Sequence, residues 1–422
     1  MENNNIPTNS SGEKMALQEG KRKRPTALYF CIFCQFVISM GMWIGWDGRA
    51  LYLQFLFFIF SIFLIRAGHV RLNNDRRNIL TWLSFSIASI CLFGIVIFRL
   101  FTSIFPAFII IMLNDEDRIC CFKYIFKWFA ILMIPSIIAW LIYLSVGLPS
   151  IGRIWYKREG VQPLWYLLHN NHIFLITYAL KETTRFCGYF LEPGHLGMMG
   201  AFLLFADGFN FKKRTSWIIL LSVFLSFSLT GYVLSFLGYL FVKYERRQIR
   251  LKFIIFFGIL IIAFYLFSTL YNGGDNYLNE KIISRLEPDE EKGIEGNNRV
   301  FGQIDLYFAT MFNDWHLILF GYSEETIRFL AQTGSRGTGI EMFIVAHGVI
   351  GVLLSFFPYL VYLYLTKNRQ YAIFSFVFIL LLLLQRSMWY WPAWIICYVY
   401  GITLREKQQI ESVNVNNTSN ET

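Results

Sequence analysis

Charge is scarce in this chain. Only 16% of its 422 residues are Asp, Glu, Lys or Arg, against roughly 25% in soluble proteins. Too few ionisable groups are present to coat a water-exposed surface of this size, which excludes an ordinary cytosolic enzyme. Cysteine offers no framework either: there are seven, an odd number, mostly inside or beside apolar blocks, so no secreted disulfide scaffold is implied. Cys31 and Cys34 form a C-x-x-C within an apolar span and lack a second ligand pair; they read as packing residues, and no metal site or cofactor is expected. Also missing are an internal repeat and a matching pair of broken helices in the two halves, which argues against an inverted-repeat transporter. The glycines around Arg336 are followed by no Lys-Ser/Thr and so are no P-loop.

What the chain has instead is apolar length. Hydrophobic residues make up 55% and aromatic ones 19%, gathered in blocks such as Leu51–Ile65, Phe253–Leu270 and Ile373–Leu384. A bilayer accommodates blocks of this length and a water-soluble core does not. The net charge of +10 sits in short basic runs between the blocks, the placement expected of cytoplasmic loops rather than of a nucleic-acid surface. The fold class expected is therefore all-α, a polytopic integral membrane bundle of about twelve transmembrane helices with both termini cytoplasmic.

Residues 1–25 read as a disordered cytoplasmic tail, 26–404 as the membrane domain and 405–422 as a C-terminal cytoplasmic tail. The apolar run after Lys21–Arg24 is too long for a signal peptide and no small-residue cleavage site follows it. Spans are expected near 26–45, 79–98, 100–113, 128–148, 186–206, 252–270, 339–366, 372–386 and 392–404, with another ending at Arg66. The block Trp217–Val242 is basic at both flanks. Its 26 residues give roughly 39 Å as a helix, too long for one level span and too short for two. The Ser226–Gly231 stretch at its middle predicts a short helix pair meeting near Ser228 and lining a cavity.

Two segments, 149–185 and 271–336, are far longer than a connection requires, and alternation places both outside. The first carries Arg153, Lys157, Arg158, His169, His172, Lys181 and Arg185 against the positive-inside pattern. It reads either as solvated charges or as cations that meet an anion, most simply a phosphate. Arg185-Phe-Cys-Gly-Tyr-Phe-Leu-Glu192-Pro193-Gly194-His195 then sets a carboxylate and an imidazole at the outer mouth of a helix. Pro193 suits the first helical turn, and Glu192 is either a helix-capping acid or a site residue. The second long segment carries an acidic run over Glu287–Glu295, then Arg299, Leu319-Phe-Gly-Tyr322 and Arg336. Trp155, Trp165, Tyr166, Trp389, Tyr390 and Trp391 suit either sugar stacking or an interfacial belt.

Arg185, Gly188 and Glu192-Pro193-Gly194 opening a span, the break at Ser226–Gly231, the Leu-Phe-Gly-Tyr of the long loop and Gly348-Val-Ile-Gly351 in the next span resemble the bacterial O-antigen polymerase (Wzy-type) and O-antigen ligase superfamily. The similarity covers the layout of about residues 125–400. It implies a GT-C-like membrane bundle in the bacterial inner membrane and no cofactor. It also implies a polymerase that transfers a glycan from undecaprenyl pyrophosphate to a sugar hydroxyl of another lipid-linked repeat unit, making O-antigen or capsule. Where many members have a His-Asn pair, this chain reads Gly337-Thr338-Gly339, which points away from the ligase alternative; a flippase for the same glycan is the other alternative. The resemblance implies Glu192 and His195 as catalytic groups, and Arg185, Arg299, Arg336, Arg153 and Arg158 as holders of pyrophosphate and glycan. Lipid-linked oligosaccharides, membrane lipids, a chain-length regulator and a flippase are the partners it implies.

Overall fold

The computed structural model describes residues 25–46, 49–68, 70–93, 103–155, 168–179, 185–248, 265–276, 303–323, 339–367, 369–385 and 389–420, with a few isolated positions between 259 and 330. The chain is mostly helical. The helices whose bounds lie among the described residues are, in order, α1 (Thr26–Ser39), α2 (Arg49–Ala67), α3 (Arg76–Phe93), α4 (Phe105–Met112), α5 (Asp115–Val146), α6 (Pro193–Ala206), α7 (Arg214–Leu225), α8 (Leu229–Glu245), α9 (Ile304–Met311), α10 (Trp315–Phe320), α11 (Gly339–Leu365), α12 (Arg369–Gln385) and α13 (Pro392–Asn420). Among the described residues, three helices are long and apolar enough to cross a membrane: Arg49–Ala67, Asp115–Val146 and Ile340–Leu365. Exposed Phe55, Ile59, Phe60 and Phe63 cover the outside of α2, a surface that suits lipid rather than water.

Local chemistry sets the helix boundaries. Asn114 caps α5, its side chain accepting from Asp117 N, and Asp115, Glu116 and Asp117 fill the first turn, where the helix dipole favours negative charge. Gly147 closes α5 at φ +77°, a conformation glycine adopts without a Cβ penalty. Pro193 opens α6 and Ser228 caps α8, accepting from Gly231 N. The expected helix pair meeting near Ser228 is present as α7 and α8. At 12 and 17 residues they reach only about 18 and 25 Å, each short of a hydrocarbon core of about 30 Å.

The helix α6 is the centre of the bundle: every residue from His195 to Ala206 is buried. Its Gly197 lies against Ser226 and Ser228, and Gly231 of α8 lies against the Gly197 backbone, a Cβ there falling 2.9 Å from Gly197 Cα. Such small-residue contacts let helices approach where no aqueous driving force pushes them together. Phe202 and Phe205 on the same helix stack on Phe378 of α12 at 5.0 and 4.8 Å between ring centroids.

Two ends of the bundle differ in chemistry. At the basic end Tyr29 Oη donates to Asp117 Oδ1 (2.7 Å), Arg77 pairs with Glu406 (2.8 Å) and Lys213 with Asp207 (2.5 Å). At the other end the first long segment folds into a feature the hydropathy pattern does not announce. It is a three-stranded antiparallel sheet of β1 (Gly152–Trp155), β2 (Leu168–Asn171) and β3 (Ile176–Tyr178), in spatial order β1-β2-β3. The second long segment holds α9 and α10, and α13 continues through Leu404 into the C-terminal segment.

Candidate functional site

The sheet end gathers its side chains around the loop that leads into α6. Phe186 N donates to Leu225 O (3.1 Å), and Arg185 donates from Nε to Ser226 O (3.1 Å) and from Nη2 to Phe227 O (2.8 Å). These carbonyls end α7 inside the bundle and lack intrahelical donors, so Arg185 closes the break between the two half-helices. Next along the loop, Cys187 Sγ donates to Ile176 O, and Ile176 N donates to Gly188 O (2.9 Å), binding the loop to β3. Cys187 is buried among these contacts and serves there as a structural donor. Gly188, at φ +59°, passes beside Ser136 of α5.

The loop then pairs with the chain that follows α1. Phe190 forms a bridge with Met42, and Trp43 N donates to Tyr189 O (3.2 Å). Glu192 takes the N-cap position of α6 in extended conformation, but its side chain makes no capping hydrogen bond. His195 follows one turn in, 5% exposed, its ring edge-on to Trp391 at 5.4 Å. The imidazole also borders Gly41. From there a line of aromatic contacts leads outward: Trp46 Nε1 donates to Gly41 O (3.0 Å), Trp46 packs edge-on to His169 at 4.9 Å, and His169 meets Tyr178 at 5.1 Å.

The structure thus joins Arg185, Glu192 and His195 in one loop-and-helix unit. Arg153 stands apart, exposed on the edge strand β1 opposite Asn170, with β2 and β3 between it and the α6 loop. Arg158, Arg299 and Arg336 lie outside the described residues. His172 is a scaffold residue: its ring nitrogens lie 3.0 Å from Pro149 O and 3.0 Å from Thr177 Oγ1, tying the sheet together. The outer aromatics divide. Trp155 is exposed, Trp391 lies on His195, and Trp389 is buried against Phe85 as a core residue; Trp165 and Tyr166 fall outside the described residues.

Two motifs far apart in the chain also meet. Tyr322 N donates to Val345 O (2.8 Å), and a Cβ on Gly321 would fall 2.6 Å from His347 N. The Leu319–Tyr322 turn therefore lies directly on Ala346-His347-Gly348, where Gly348 adopts φ +62° and kinks α11. His347 itself packs on Phe343, with ring centroids 4.8 Å apart. Sequence reasoning missed the Gly41–Trp46 segment, which forms one wall of the site. Its signal was present in two glycines bracketing Trp43, a composition of close backbone approach rather than of a continuing helix.

Among the described residues no group of three or more His, Cys, Asp or Glu side chains is placed to hold a metal ion. Compared with protein-family models, with curated proteins and with solved structures, the chain matches none.

Proposed function

We propose that the protein is a membrane glycosyltransferase that polymerises lipid-linked repeat units of a surface polysaccharide, O-antigen or capsule. In this reading the chain crosses the bacterial inner membrane about twelve times as a GT-C-like bundle. The basic end and both termini face the cytoplasm, and the sheet end faces outward. One observation carries it: a carboxylate that does not cap its helix, Glu192, and a buried imidazole one turn on, His195, open the most enclosed helix of the bundle at the end away from the basic loops. Ionisable groups at such a depth usually serve a site.

The chemistry follows from the groups at hand. A sugar hydroxyl of one lipid-linked unit attacks the anomeric carbon of the other. The bond from that carbon to the undecaprenyl pyrophosphate oxygen breaks and its electron pair leaves with the pyrophosphate. The hydroxyl proton passes to Glu192 or His195, a general-base contribution of about 10²–10⁴ in rate. Arg158, Arg299 and Arg336 supply positive charge for the leaving group, while Arg153, out on the edge strand β1, is left to meet the glycan. Arg185 reaches the site as well, although two of its donors hold the α7 carbonyls. A chain-length regulator and a flippase are the partners this reaction calls for.

Deletion of the protein in its bacterium, followed by gel analysis of surface polysaccharide, tests the reading. A single-repeat band in place of a ladder is expected. Complete loss of attached glycan would instead indicate a ligase, and accumulation of the lipid-linked unit on the cytoplasmic side a transporter.

A further inference from the structure

The basic end holds two adjoining cavities that the proposed reaction does not use. The first, of about 400 Å³, lies between the turn after α6 and the last turns of α8; Lys212, Lys243 and Arg246 line it, with no carboxylate. Phe209, Phe211 and Tyr239 form its apolar wall. The second, of about 300 Å³, shares Asn210 with it and presents Lys123, Lys213 and Lys407 against Glu411 alone. Nearby carboxylates balance these charges only at Lys213. Asp207 is held by Lys213 at 2.5 Å, and Glu245 faces Arg405 at 3.8 Å.

Like charges are also forced together. Gly208, at φ +72°, lets the guanidinium groups of both Arg405 and Arg246 close on its backbone, Arg246 Nη2 donating to Gly208 O at 3.1 Å. Arg405 is 4% exposed, and among the described residues its Nε meets no hydrogen-bond acceptor. Burial, then the charge of Arg405, holds the Arg246 guanidinium below its ordinary value, with Glu245 and Asp207 opposing. An arginine does not lose its proton, so this strain is an electrostatic cost that an incoming anion removes. The depth of the cavity is marked independently: Trp217 and Tyr244 stand exposed beside it, Trp217 Nε1 donating to Phe211 O (3.0 Å). Exposed Trp and Tyr at the ends of apolar helices sit at the headgroup level of a bilayer.

We infer that this cleft binds the phosphate headgroup of an anionic phospholipid, Lys212, Lys243 and Arg246 holding the phosphate while Phe209, Phe211 and Tyr239 receive the glycerol and the first acyl carbons. The charge selects a phosphate, and the aromatic wall at interfacial depth selects one that carries a lipid. The inference stands whatever the activity of the chain.

The test uses the full-length protein in detergent, titrated with phosphatidylglycerol, phosphatidylcholine or inorganic phosphate. Its readouts are the thermal midpoint and the lipid retained in native mass spectrometry. Phosphatidylglycerol is expected to raise the midpoint and to be retained; phosphatidylcholine is not. The double variant Lys212→Gln/Lys243→Gln should need about 30-fold more phosphatidylglycerol for half-saturation. The control Arg71→Gln/Arg76→Gln removes the same charge from exposed basic-end positions outside either cavity and should titrate as wild type. Retained lipid is counted independently of folding stability, so a destabilised variant still reports. Equal loss in the control, or equal effect of phosphatidylcholine, would overturn the site. An inorganic-phosphate shift that matches and competes with the lipid would overturn the lipid as its source.

Discussion

Arg185 Nη2 lies 2.8 Å from Phe227 O, and its Nε 3.1 Å from Ser226 O, across 42 and 41 positions of sequence. An arginine expected to serve a bound anion is thus also the group that completes the break between α7 and α8. Removing it takes two hydrogen bonds from the part-buried carbonyls of Ser226 and Phe227, at about 0.5–1.5 kcal/mol for each. Arg185→Ala should lower the thermal midpoint markedly, and Arg185→Lys only in part, because an ammonium retains one of the two bonds but not the fork. A role toward pyrophosphate shows as polymer loss beyond the loss in folded protein, measured on ladders at matched membrane abundance.

Glu192→Gln keeps the size of a side chain that makes no capping bond to α6 and removes its charge, so its effect on polymer is read at matched membrane abundance, separately from any shift of the thermal midpoint. If the carboxylate accepts the proton of the attacking hydroxyl, polymer formation should fall by about 100-fold or more. Ladders of normal length from Glu192→Gln, at normal abundance, would remove it from the chemistry and leave His195 as the base.

The half-helix pair was legible because its evidence is local: a basic flank at each side, a length between one span and two, and Ser226–Gly231 in the middle. Pro193 at the start of α6 was legible for the same reason. The sheet was not. Its strands run three to four residues, and Leu168-His-Asn-Asn171 carries no alternation of apolar and polar residues; the pairing depends on the loop bonds from Gly188 and Cys187. His195 against Trp391 joins positions 196 apart, and no spacing rule reaches that far. The Leu-Phe-Gly-Tyr and Gly-Val-Ile-Gly motifs were each visible, but their contact through Gly321 and Gly348 is a tertiary fact.

That contact makes a stability prediction. Gly348 holds φ +62°, and a Cβ there would overlap the Leu319 carbonyl. Gly348→Ala combines left-handed backbone strain with a clash against main chain that cannot swing aside, together about 3 kcal/mol or more. The variant should unfold at a clearly lower temperature, while Gly351→Ala, which meets His347 Cβ but keeps an ordinary φ in the same helix, should lack the backbone-strain part of that cost. Equal midpoints for Gly348→Ala and wild type would mean that the kink and its seat on α10 are not a feature of the folded protein.

Face to face with Lys213, Asp207 yields the pH dependence. It is 4% exposed, and burial raises its carboxyl above the ordinary range even though Lys213, and more weakly Arg405 and Lys123, pull the other way. Folding therefore raises this pKa, and the folded chain binds more protons than the unfolded one between the two values. Its contribution to stability is fully present below the unfolded carboxylate value of about 3.9 and is lost as pH rises through the higher folded value. Asp207→Asn abolishes that titration. The thermal midpoint of wild type minus that of Asp207→Asn, followed from about pH 4 to about pH 7, should therefore fall as pH rises. A difference that grows with pH would mean that the Lys213 ion pair outweighs burial, and that the turn after α6 is held by that pair rather than strained around it.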